Sequence, residues 1–335
     1  MEKRYHIFAI GNALVDTEIE VQDEFLARMN IDKGMMTLVD QARQQELVAA
    51  LDGHGKVHRQ ASGGSACNTI VAAQYFGGQT YYACKVADDD TGRFFVHDLT
   101  AAGVDTNMRE CSHEGISGRC LVMITPDAER TMHTYLGISE TVSESELDLA
   151  ALKASHYAYI EGYLVTSESA RPAAIKLREQ ARQLGVKTAL TFSDPAMVRF
   201  FKDGLKEMIG DGVDLLFCNE EEACLFTDTD NAEAALESLK PIAGSIVITL
   251  GAKGALLWDG EAAHRVEPVT VKAVDTNGAG DMFAGAFLYA ITHGHDFPTA
   301  GKLAAAASAR VVSDFGPRLK PESHQAVRDS VLGSV

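Results

Sequence analysis

The chain has 335 residues, a formal net charge of −17, 46% hydrophobic residues and 23% charged residues, which is ordinary for a globular protein with one large α/β domain or two smaller ones. This acidity argues against nucleic acid and anionic membranes as partners, because both require a basic surface. The six cysteines show no C-x-x-C spacing, so neither zinc nor a redox pair is indicated, and buried thiols in a reducing compartment are expected. With no signal-peptide pattern and no apolar run of membrane-spanning length, the sequence predicts a cytoplasmic protein.

Strand and helix patterns alternate through the first half of the chain. Short apolar or alternating runs predict strands at 5–10, 17–21, 35–39, 56–60 and 81–87. Amphipathic spacing predicts helices at 24–29, 41–51, 70–75 and 93–102. Residues 118–125 and 131–135 flank a Pro-Asp-Ala turn and predict a β-hairpin. Together with the strands near 17–21, 35–39 and 56–60, this hairpin is expected to form a small sheet separate from the main one.

Small polar residues and glycines follow two of these strands. Asn12 and Asp16 come directly after the first strand, where plain turn residues are one interpretation. A Gly-Gly pair at 63–64 precedes the next helix, and Asn68 follows four residues later, which is consistent with a tight strand-to-helix turn. Three consecutive aspartates at 88–90 favour a helix N-terminal cap over a metal site.

From residue 157 onward, short buried strands alternate regularly with helices. Strands are predicted at 157–160, 187–191, 215–218 and 246–250. Helices are predicted at 168–184, 196–208, 220–226, 231–240, 298–314 and 321–331. This alternation indicates a parallel sheet with right-handed crossovers, on which ligands bind at the carboxyl ends of the strands. Polar side chains follow those ends at Asp194, at 219–222 and at 249–254.

The most informative stretch is Asp-Thr-Asn-Gly-Ala-Gly-Asp at residues 275–281, here called the glycine turn. A β-branched run at 269–274 predicts a strand before it, and apolar residues with helical spacing predict a helix after it that Gly294 ends. A helix N-terminus behind glycines presents unpaired amides and the positive end of the helix dipole, so it binds anions. Asp281, in the first helical turn, would either cap the helix or act as general base in phosphoryl transfer. The two glycines before it favour the second interpretation, because a cap does not need them.

The order of these motifs resembles the ribokinase-like (PfkB) carbohydrate kinase family and, within it, the adenosine-kinase-like branch. The resemblance extends over nearly the whole chain, and it includes a Gly-Asn-x-x-x-Asp opening at 11–16, the Gly-Gly pair, the hairpin, an Asn-x-x-Glu motif at 219–222 and the glycine turn. It implies one domain over residues 1–335, with a doubly wound, mostly parallel α/β sheet flanked by helices. A small β-sheet lid would be formed by insertions near 12–60 and 108–137.

The resemblance also implies roles for individual residues. Asp281 would be the catalytic base, and the amides of Gly278, Ala279 and Gly280 would form the anion site. The acceptor-binding residues would be Asn12, Asp16, Gly63, Gly64, Asn68 and Asp281. The ATP-binding residues would be Asn219, Thr249, Gly251, Gly254, Asn277, Gly278 and Gly280.

Three further roles concern ions. Glu222 would be associated with Mg²⁺, although its Asn-x-x-Glu motif is by itself also typical of a helix cap. Arg130, in the hairpin, would bind phosphate when the lid closes; a surface arginine paired with Glu129 or Asp127 is the alternative. In the family, a loop at 316–318 would help bind a monovalent cation such as K⁺.

The function implied is an ATP-dependent kinase that phosphorylates a primary hydroxyl of a small acceptor. The opening at 11–16, Asn277 and the segment 130–137 favour a nucleoside, adenosine above others, and hence a role in purine salvage. A ribokinase- or fructokinase-type sugar kinase is the alternative within the family. A catalytically inactive nucleoside-binding regulator is the alternative outside enzymes, and the intact Asp281 argues against it. No P-loop motif occurs, and the first strand is not followed by Gly-x-Gly-x-x-Gly. A monomer or homodimer is expected.

Overall fold

The computed structural model describes residues 3–51, 56–110, 113–127 and 129–333. Its strands are β1 (Tyr5–Ile10), β2 (Leu14–Glu20), β3 (Met36–Leu38), β4 (Lys56–Gly63), β5 (Thr80–Ala83), β6 (Asp105–Thr106), β7 (Gly118–Ile124), β8 (Arg130–Tyr135), β9 (Ser155–Ile160), β10 (Lys187–Thr191), β11 (Val213–Asn219), β12 (Ala243–Thr249), β13 (Ala255–Trp258) and β14 (Ala263–Val266). Its α-helices are α1 (Asp23–Arg28), α2 (Gln41–Leu51), α3 (Ser65–Phe76), α4 (Asp90–Ala101), α5 (Leu149–Lys153), α6 (Ala170–Gln183), α7 (Pro195–Ile209), α8 (Glu220–Thr227), α9 (Ala232–Leu239), α10 (Ala279–Thr292), α11 (Phe297–Val311) and α12 (Pro321–Leu332).

The main sheet has the strand order β14-β13-β12-β11-β10-β9-β1-β5-β6. Neighbours from β12 to β6 run parallel, whereas β13 and β14 are antiparallel at one edge. Successive side chains of a strand point to opposite faces of a sheet. Ile7 and Ala9 of β1 therefore pack with α3, α10 and α11, while Phe8 and Ile10 pack with α6 and α7. The predicted doubly wound, mostly parallel sheet flanked by helices is confirmed.

A second sheet, here called the small sheet, has the strand order β3-β8-β7-β2-β4. Strands β7 and β8 form the predicted hairpin, although Ala128 in its turn lies outside the described residues. One face of the small sheet packs Leu121 against Phe25 of α1 and Leu47 of α2. The other face, which carries Val122, is turned towards the main sheet. The separate small sheet is confirmed, and its movement as a lid stays a prediction.

The strand predicted at 269–274 is wrong. These residues form a loop in which Val269 and Val271 are exposed, and the edge strand of the main sheet is β14 instead. The preference of β-branched residues for strands reflects their fit to a sheet surface, so a run without a neighbouring strand forms none. The strand predicted at 81–87 is shorter than expected, because β5 pairs with β1 only as far as Ala83.

Two smaller predictions are confirmed. Of the five cysteines among the described residues, Cys67, Cys84, Cys120 and Cys218 are buried and Cys224 is half-buried. Cys111 lies outside the described residues. Asp89 caps α4 and accepts a hydrogen bond from the Gly92 amide at 2.7 Å. Within the described part of the chain, no helix combines the length and the hydropathy that crossing a bilayer requires.

Candidate active site

A cavity of about 480 Å³ lies between the carboxyl ends of the main-sheet strands and the inner face of the small sheet. It brings together most of the residues to which the sequence analysis assigned a role: Asn12, Asp16, Gly64, Asn68, Asn219, Glu222, Thr249, Gly251, Asn277, Gly278, Ala279, Gly280 and Asp281. Gly63, Gly254 and Arg130 do not line it. The lining residues come from both ends of the chain, so the tertiary fold assembles the site.

The glycine turn presents unpaired backbone amides where α10 begins. Gly278 is the N-terminal cap with a left-handed backbone (φ 74°), and a Cβ there would lie 2.6 Å from Pro317 Cα. Among the described residues, the amides of Gly278, Gly280 and Asp281 have no hydrogen-bond partner, whereas the Ala279 amide, which was predicted to join the anion site, donates to Thr276 O at 3.3 Å. A Cβ on Gly280 would meet nothing within 4 Å, so a ligand can approach this backbone closely. Such amides, together with the helix dipole, suit an anion.

Asp281 lies in the first turn of α10 and contacts two side chains of α3. Its Oδ1 accepts a hydrogen bond from Ser65 Oγ at 2.7 Å, and its Oδ2 accepts one from Asn68 Nδ2 at 3.1 Å. Burial raises the pKa of Asp281 to about 6, against the opposing effects of these two donors and of the Arg318 charge. At neutral pH the carboxylate is therefore ionised and yet more basic than an ordinary aspartate, which suits a general base.

Arg318 is a site residue that the sequence analysis considered only as part of a loop. Its side chain is buried, its Nε donates to Asn68 Oδ1 at 2.8 Å, and its Nη1 donates to Ser62 Oγ at 3.1 Å. The same asparagine thus accepts from Arg318 and donates to Asp281. No sequence signal marks this contact, because Arg318 and Asn68 are 250 residues apart in the chain.

Asp16 lies in β2 with its carboxylate in the cavity. Burial and the charges of Glu18 and Asp281 raise the pKa of Asp16 to about 7, against the opposing charge of Arg318. Across on β4, a Cβ at Gly63 would lie 2.2 Å from Asp16 Oδ2. Gly63 therefore makes space for this carboxylate and does not line the cavity itself. None of the described residues donates a hydrogen bond to the carboxylate, which leaves both oxygens for ligand hydroxyls.

Asn12 is held in place by Glu161, a residue that the sequence analysis did not select. Glu161 Oε1 accepts from the backbone amide of Asn12 at 3.2 Å and from its Nδ2 at 3.1 Å, and Oε2 accepts from the Ala66 amide at 2.8 Å. On its other side, Asn12 Oδ1 accepts from Ser139 Oγ at 3.0 Å. Burial raises the pKa of Glu161 to about 7 despite these donors. An acid directly after the buried strand β9 was the available sequence signal.

Asn219 and Glu222 form a capping box at the start of α8. The Glu222 amide donates to Asn219 Oδ1 at 2.8 Å, and Asn219 Nδ2 donates to Glu222 Oε1 at 2.7 Å. The helix-cap interpretation is confirmed, and both residues also line the cavity. Burial raises the pKa of Glu222 to about 7. Over the described residues, no group of three or more His, Cys, Asp or Glu could hold a metal, so Glu222 would hold Mg²⁺ only together with water and phosphate oxygens.

The last residue of β12, Thr249, and Gly251 in the turn after it line the cavity. Gly254 lies behind this turn with φ 89°, and a Cβ there would be 2.0 Å from a backbone oxygen of β14. Glycine is therefore required at position 254 because the backbone of β14 packs closely against it. Lys253 is largely exposed and pairs with Glu220 at 3.0 Å, so its ammonium group already has a carboxylate partner at the surface.

Arg130 is not a surface arginine paired with Glu129 or Asp127, and its binding of phosphate when the lid closes stays a prediction. It is buried in ion pairs with Asp275 and, at 3.6 Å, with Glu18. Asp275 is itself buried and accepts hydrogen bonds from the amides of Asn277 at 2.9 Å and Gly316 at 2.7 Å. A buried carboxylate needs a cation nearby, and β8 brings Arg130 to it. In this structure Arg130 links the small sheet to the first residue of the glycine turn instead of lining the cavity or pairing with its neighbours at the surface.

The two sides of the cavity differ in polarity. The small sheet and the residue after it supply a largely apolar wall of Leu14, Met36, Leu38, Cys120, Val122, Met132, Thr134 and Leu136. The main sheet and the helix N-termini supply acidic side chains, and β2 supplies one more. The acidic residues that line the cavity are Asp16, Glu161, Asp194, Glu222 and Asp281. No lysine, arginine or histidine of the described residues lines the cavity. Positive potential for an anion must therefore come from backbone amides and bound cations.

Comparison with known proteins shows that this chain is similar to kinases. Residues 32–324 match the family described as pfkB family carbohydrate kinase. The crystal structure of adenosine kinase from Sinorhizobium meliloti superposes with a TM-score of 0.89 at 33% identity, over 98% of this chain and 99% of that one. A probable sugar kinase from Rhizobium etli CFN 42 superposes with a TM-score of 0.89 at 31% identity, over 98% of each chain. The adenosine kinase of Saccharomyces cerevisiae is 28% identical over 94% of this chain and 97% of its own length.

Proposed function

This chain belongs to the pfkB family of carbohydrate kinases, which makes it a phosphotransferase with an alcohol group as acceptor, and we propose a specific reaction for it. The γ-phosphoryl group of ATP is transferred to the primary hydroxyl of a nucleoside, adenosine above others. The observation that carries the choice of a nucleoside is the contrast between the apolar wall of the small sheet and the unpaired carboxylate of Asp16. A nucleobase covers an apolar wall, whereas a free sugar presents mainly hydroxyls to it.

The ribose of such an acceptor would lie at the polar side of the cavity. A carboxylate accepts two hydrogen bonds at once, and the vicinal hydroxyls of a furanose supply two donors at a matching separation. Asp16 would take these hydroxyls, and Gly64, Asn12 and Asn68 would complete the pocket. Gly63 contributes by leaving room for the Asp16 carboxylate. In this arrangement the primary hydroxyl would lie towards Asp281.

Transfer itself needs a base and stabilisation of the migrating group. The acceptor oxygen attacks the γ-phosphorus, its proton passes to Asp281, and the bond from the γ-phosphorus to the bridging oxygen breaks to release ADP. The free amides of Gly278, Gly280 and Asp281 stabilise the charge on the transferring phosphoryl group. Ala279 begins α10, and its own amide is already hydrogen-bonded within the glycine turn. The nucleotide would extend along those predicted ATP-binding residues that also line the cavity, which are Asn219, Thr249, Gly251 and Asn277.

Cations would complete the charge balance. Mg²⁺ fits at Glu222, because this buried carboxylate has a raised pKa and its hydrogen-bond donors in the described part of the chain are neutral groups of Asn219, so a cation would stabilise its ionised form. When bound, Mg²⁺ neutralises phosphate charge. A monovalent cation at the 316–318 loop stays a prediction. The nearest acid of the glycine turn, Asp275, is paired with Arg130 in this structure.

Steady-state kinetics with adenosine, 2′-deoxyadenosine, ribose and fructose test the assignment. Removing one hydroxyl leaves a desolvated charged oxygen unpaired, which should lower specificity for 2′-deoxyadenosine by roughly ten- to a hundredfold. Asp16→Ala should remove both the activity and this preference, whereas the exposed Asp211→Ala serves as control. Faster turnover of a free sugar than of any nucleoside would refute the nucleoside and leave a sugar kinase. Nucleoside binding without turnover of any acceptor would indicate an inactive regulator.

A further inference from the structure

Arg318 crosses from the C-terminal part of the chain to the start of α3. The loop that carries it is fixed at two points: the Gly316 amide donates to Asp275, and Pro317 packs against Gly278. From there the guanidinium reaches three residues at or just before the first turn of α3. In addition to its bonds to Asn68 and Ser62, its Nη2 donates to Cys67 Sγ at 3.1 Å. The residue is 8% exposed and does not line the cavity.

These contacts determine how the Asn68 amide is oriented. An asparagine side chain has one accepting end and one donating end. Because Arg318 Nε donates to Asn68 Oδ1, the amide nitrogen must point the other way, where it donates to Asp281 Oδ2. The reversed amide would place its oxygen against a carboxylate and its nitrogen against a guanidinium, and both contacts would be repulsive. The planar fork of an arginine is suited to hold such a network rigidly.

We propose that Arg318 is a positioning residue for phosphoryl transfer, which orients Asn68 and through it the carboxylate of Asp281 without touching either substrate. This inference rests on the proposed function, because it concerns the base of that reaction. It gives the C-terminal loop a role in the reaction that is separate from the roles of the glycine turn and the acceptor pocket.

The charge of Arg318 acts on the same carboxylates. It lowers the pKa of Asp281 and that of Asp16, in both cases against the effect of burial. Among the described residues, Arg318 forms an ion pair with Asp98 of α4, whose Oδ2 lies 3.7 Å from Nη1 and accepts hydrogen bonds from Ser62. Glu161 lies near Asp281 and Glu18 near Asp16, and both are acidic, whereas Arg130 is a second cation that lowers the pKa of Asp16. The charge of Arg318 favours the ionised form of the base, Asp281.

Two substitutions separate its charge from its geometry. Arg318→Met removes both, so kcat should fall at least about tenfold and the acid limb of kcat/KM should move to higher pH by about one unit. Arg318→Lys keeps the charge without the fork, so kcat should fall while the acid limb stays in place. Arg328→Met is the matched control: Arg328 braces the other end of α3, donating to Phe76 O at 3.3 Å, and this variant should leave the acid limb unmoved.

A carboxyl ¹³C NMR titration, with the Asp281 signal assigned by Asp281→Asn, gives the same answer without turnover. The pKa of Asp281 should rise in Arg318→Met and stay in place in Arg328→Met. An unchanged pKa together with unchanged kcat in Arg318→Met would overturn the proposal. If Arg318→Met does not unfold cooperatively, Arg318→Lys decides: lowered kcat with an unmoved acid limb supports the proposal, and unchanged kcat overturns it. Wild-type protein that turns over no acceptor would refute the proposed function, while the titration would still decide the role of Arg318.

Discussion

Replacing Asp16 by asparagine should stabilise the unliganded protein at about pH 8 and, at the same time, impair acceptor use. The carboxylate of Asp16 is surrounded by buried groups and lies near two further acids, Glu18 and Asp281, and no described residue donates a hydrogen bond to it. Asparagine has nearly the same shape and no charge. The substitution therefore removes an unfavourable buried charge without breaking a hydrogen bond.

The magnitude follows from the pKa of Asp16, which rises from 3.8 to about 7 on folding. A difference of about three pKa units corresponds to about 4 kcal/mol of lost stability when the group is ionised in both states. Partial exposure of the side chain to the cavity and relaxation of the fold reduce this to an expected gain of about 1–3 kcal/mol for Asp16→Asn.

The sign depends on pH. Between about pH 4 and 7 the folded protein retains a proton on Asp16 that the unfolded chain has lost, so stability falls as pH rises through this window. Asparagine does not titrate. The gain of Asp16→Asn over wild type should therefore be largest at about pH 8, smaller at about pH 6, and absent at about pH 4.

Urea unfolding of both proteins at these three pH values measures the effect as a shift of the midpoint at constant m-value. Asp211→Asn is the matched control, because that carboxylate is 91% exposed and forms an ion pair with Arg182 at 3.4 Å. The stability of this variant should differ from wild type by less than about 0.5 kcal/mol at each pH. A destabilised Asp16→Asn at about pH 8, or a gain that is equal at all three pH values, would refute the reasoning.

Three further predictions concern the base, the anion site and acid stability. Asp281→Asn should bind nucleotide normally yet lose about 10²-fold or more in kcat, and retention of most activity would exclude Asp281 as base. Gly280→Val should abolish turnover, because its side chain would fill the open space beside the amides. Lys253→Ala, at an exposed ion pair, should change kcat/KM by about twofold or less. A larger effect of Lys253→Ala than of Gly280→Val would contradict anion binding by the amides of the glycine turn. The ring of His6 stacks on that of His293 at 4.3 Å, and burial together with the charges of the neighbouring histidines lowers the pKa of His6 to about 4. The free energy of unfolding therefore decreases as pH falls from about 6.5 towards 4. In urea titrations, His6→Leu should lose less stability than wild type over this window, and an equal loss would contradict the prediction.

The features that the sequence determined by itself are those with a local physical cause. A left-handed backbone at Gly278 and the close approach at Gly63 require glycine, so both positions are visible in the sequence. Apolar runs of strand length separated by amphipathic helices predicted the main sheet, because each run must bury both faces. Placing Asp281 in the first turn after the glycines followed from the helical spacing of the residues behind it.

The features that only the tertiary structure decided depend on which distant groups meet. Arg130 pairs with Asp275, and Arg318 forms a hydrogen bond with Asn68, 250 residues away in the chain. A charged side chain pairs with a group that the fold brings near it, so no local sequence pattern indicates its partner. Val269 is in a loop because a strand needs a neighbour and β propensity alone provides none. The raised pKa of Asp16 has the same origin, since burial and neighbouring charges, and not the residue type, set the free energy of its ionisation.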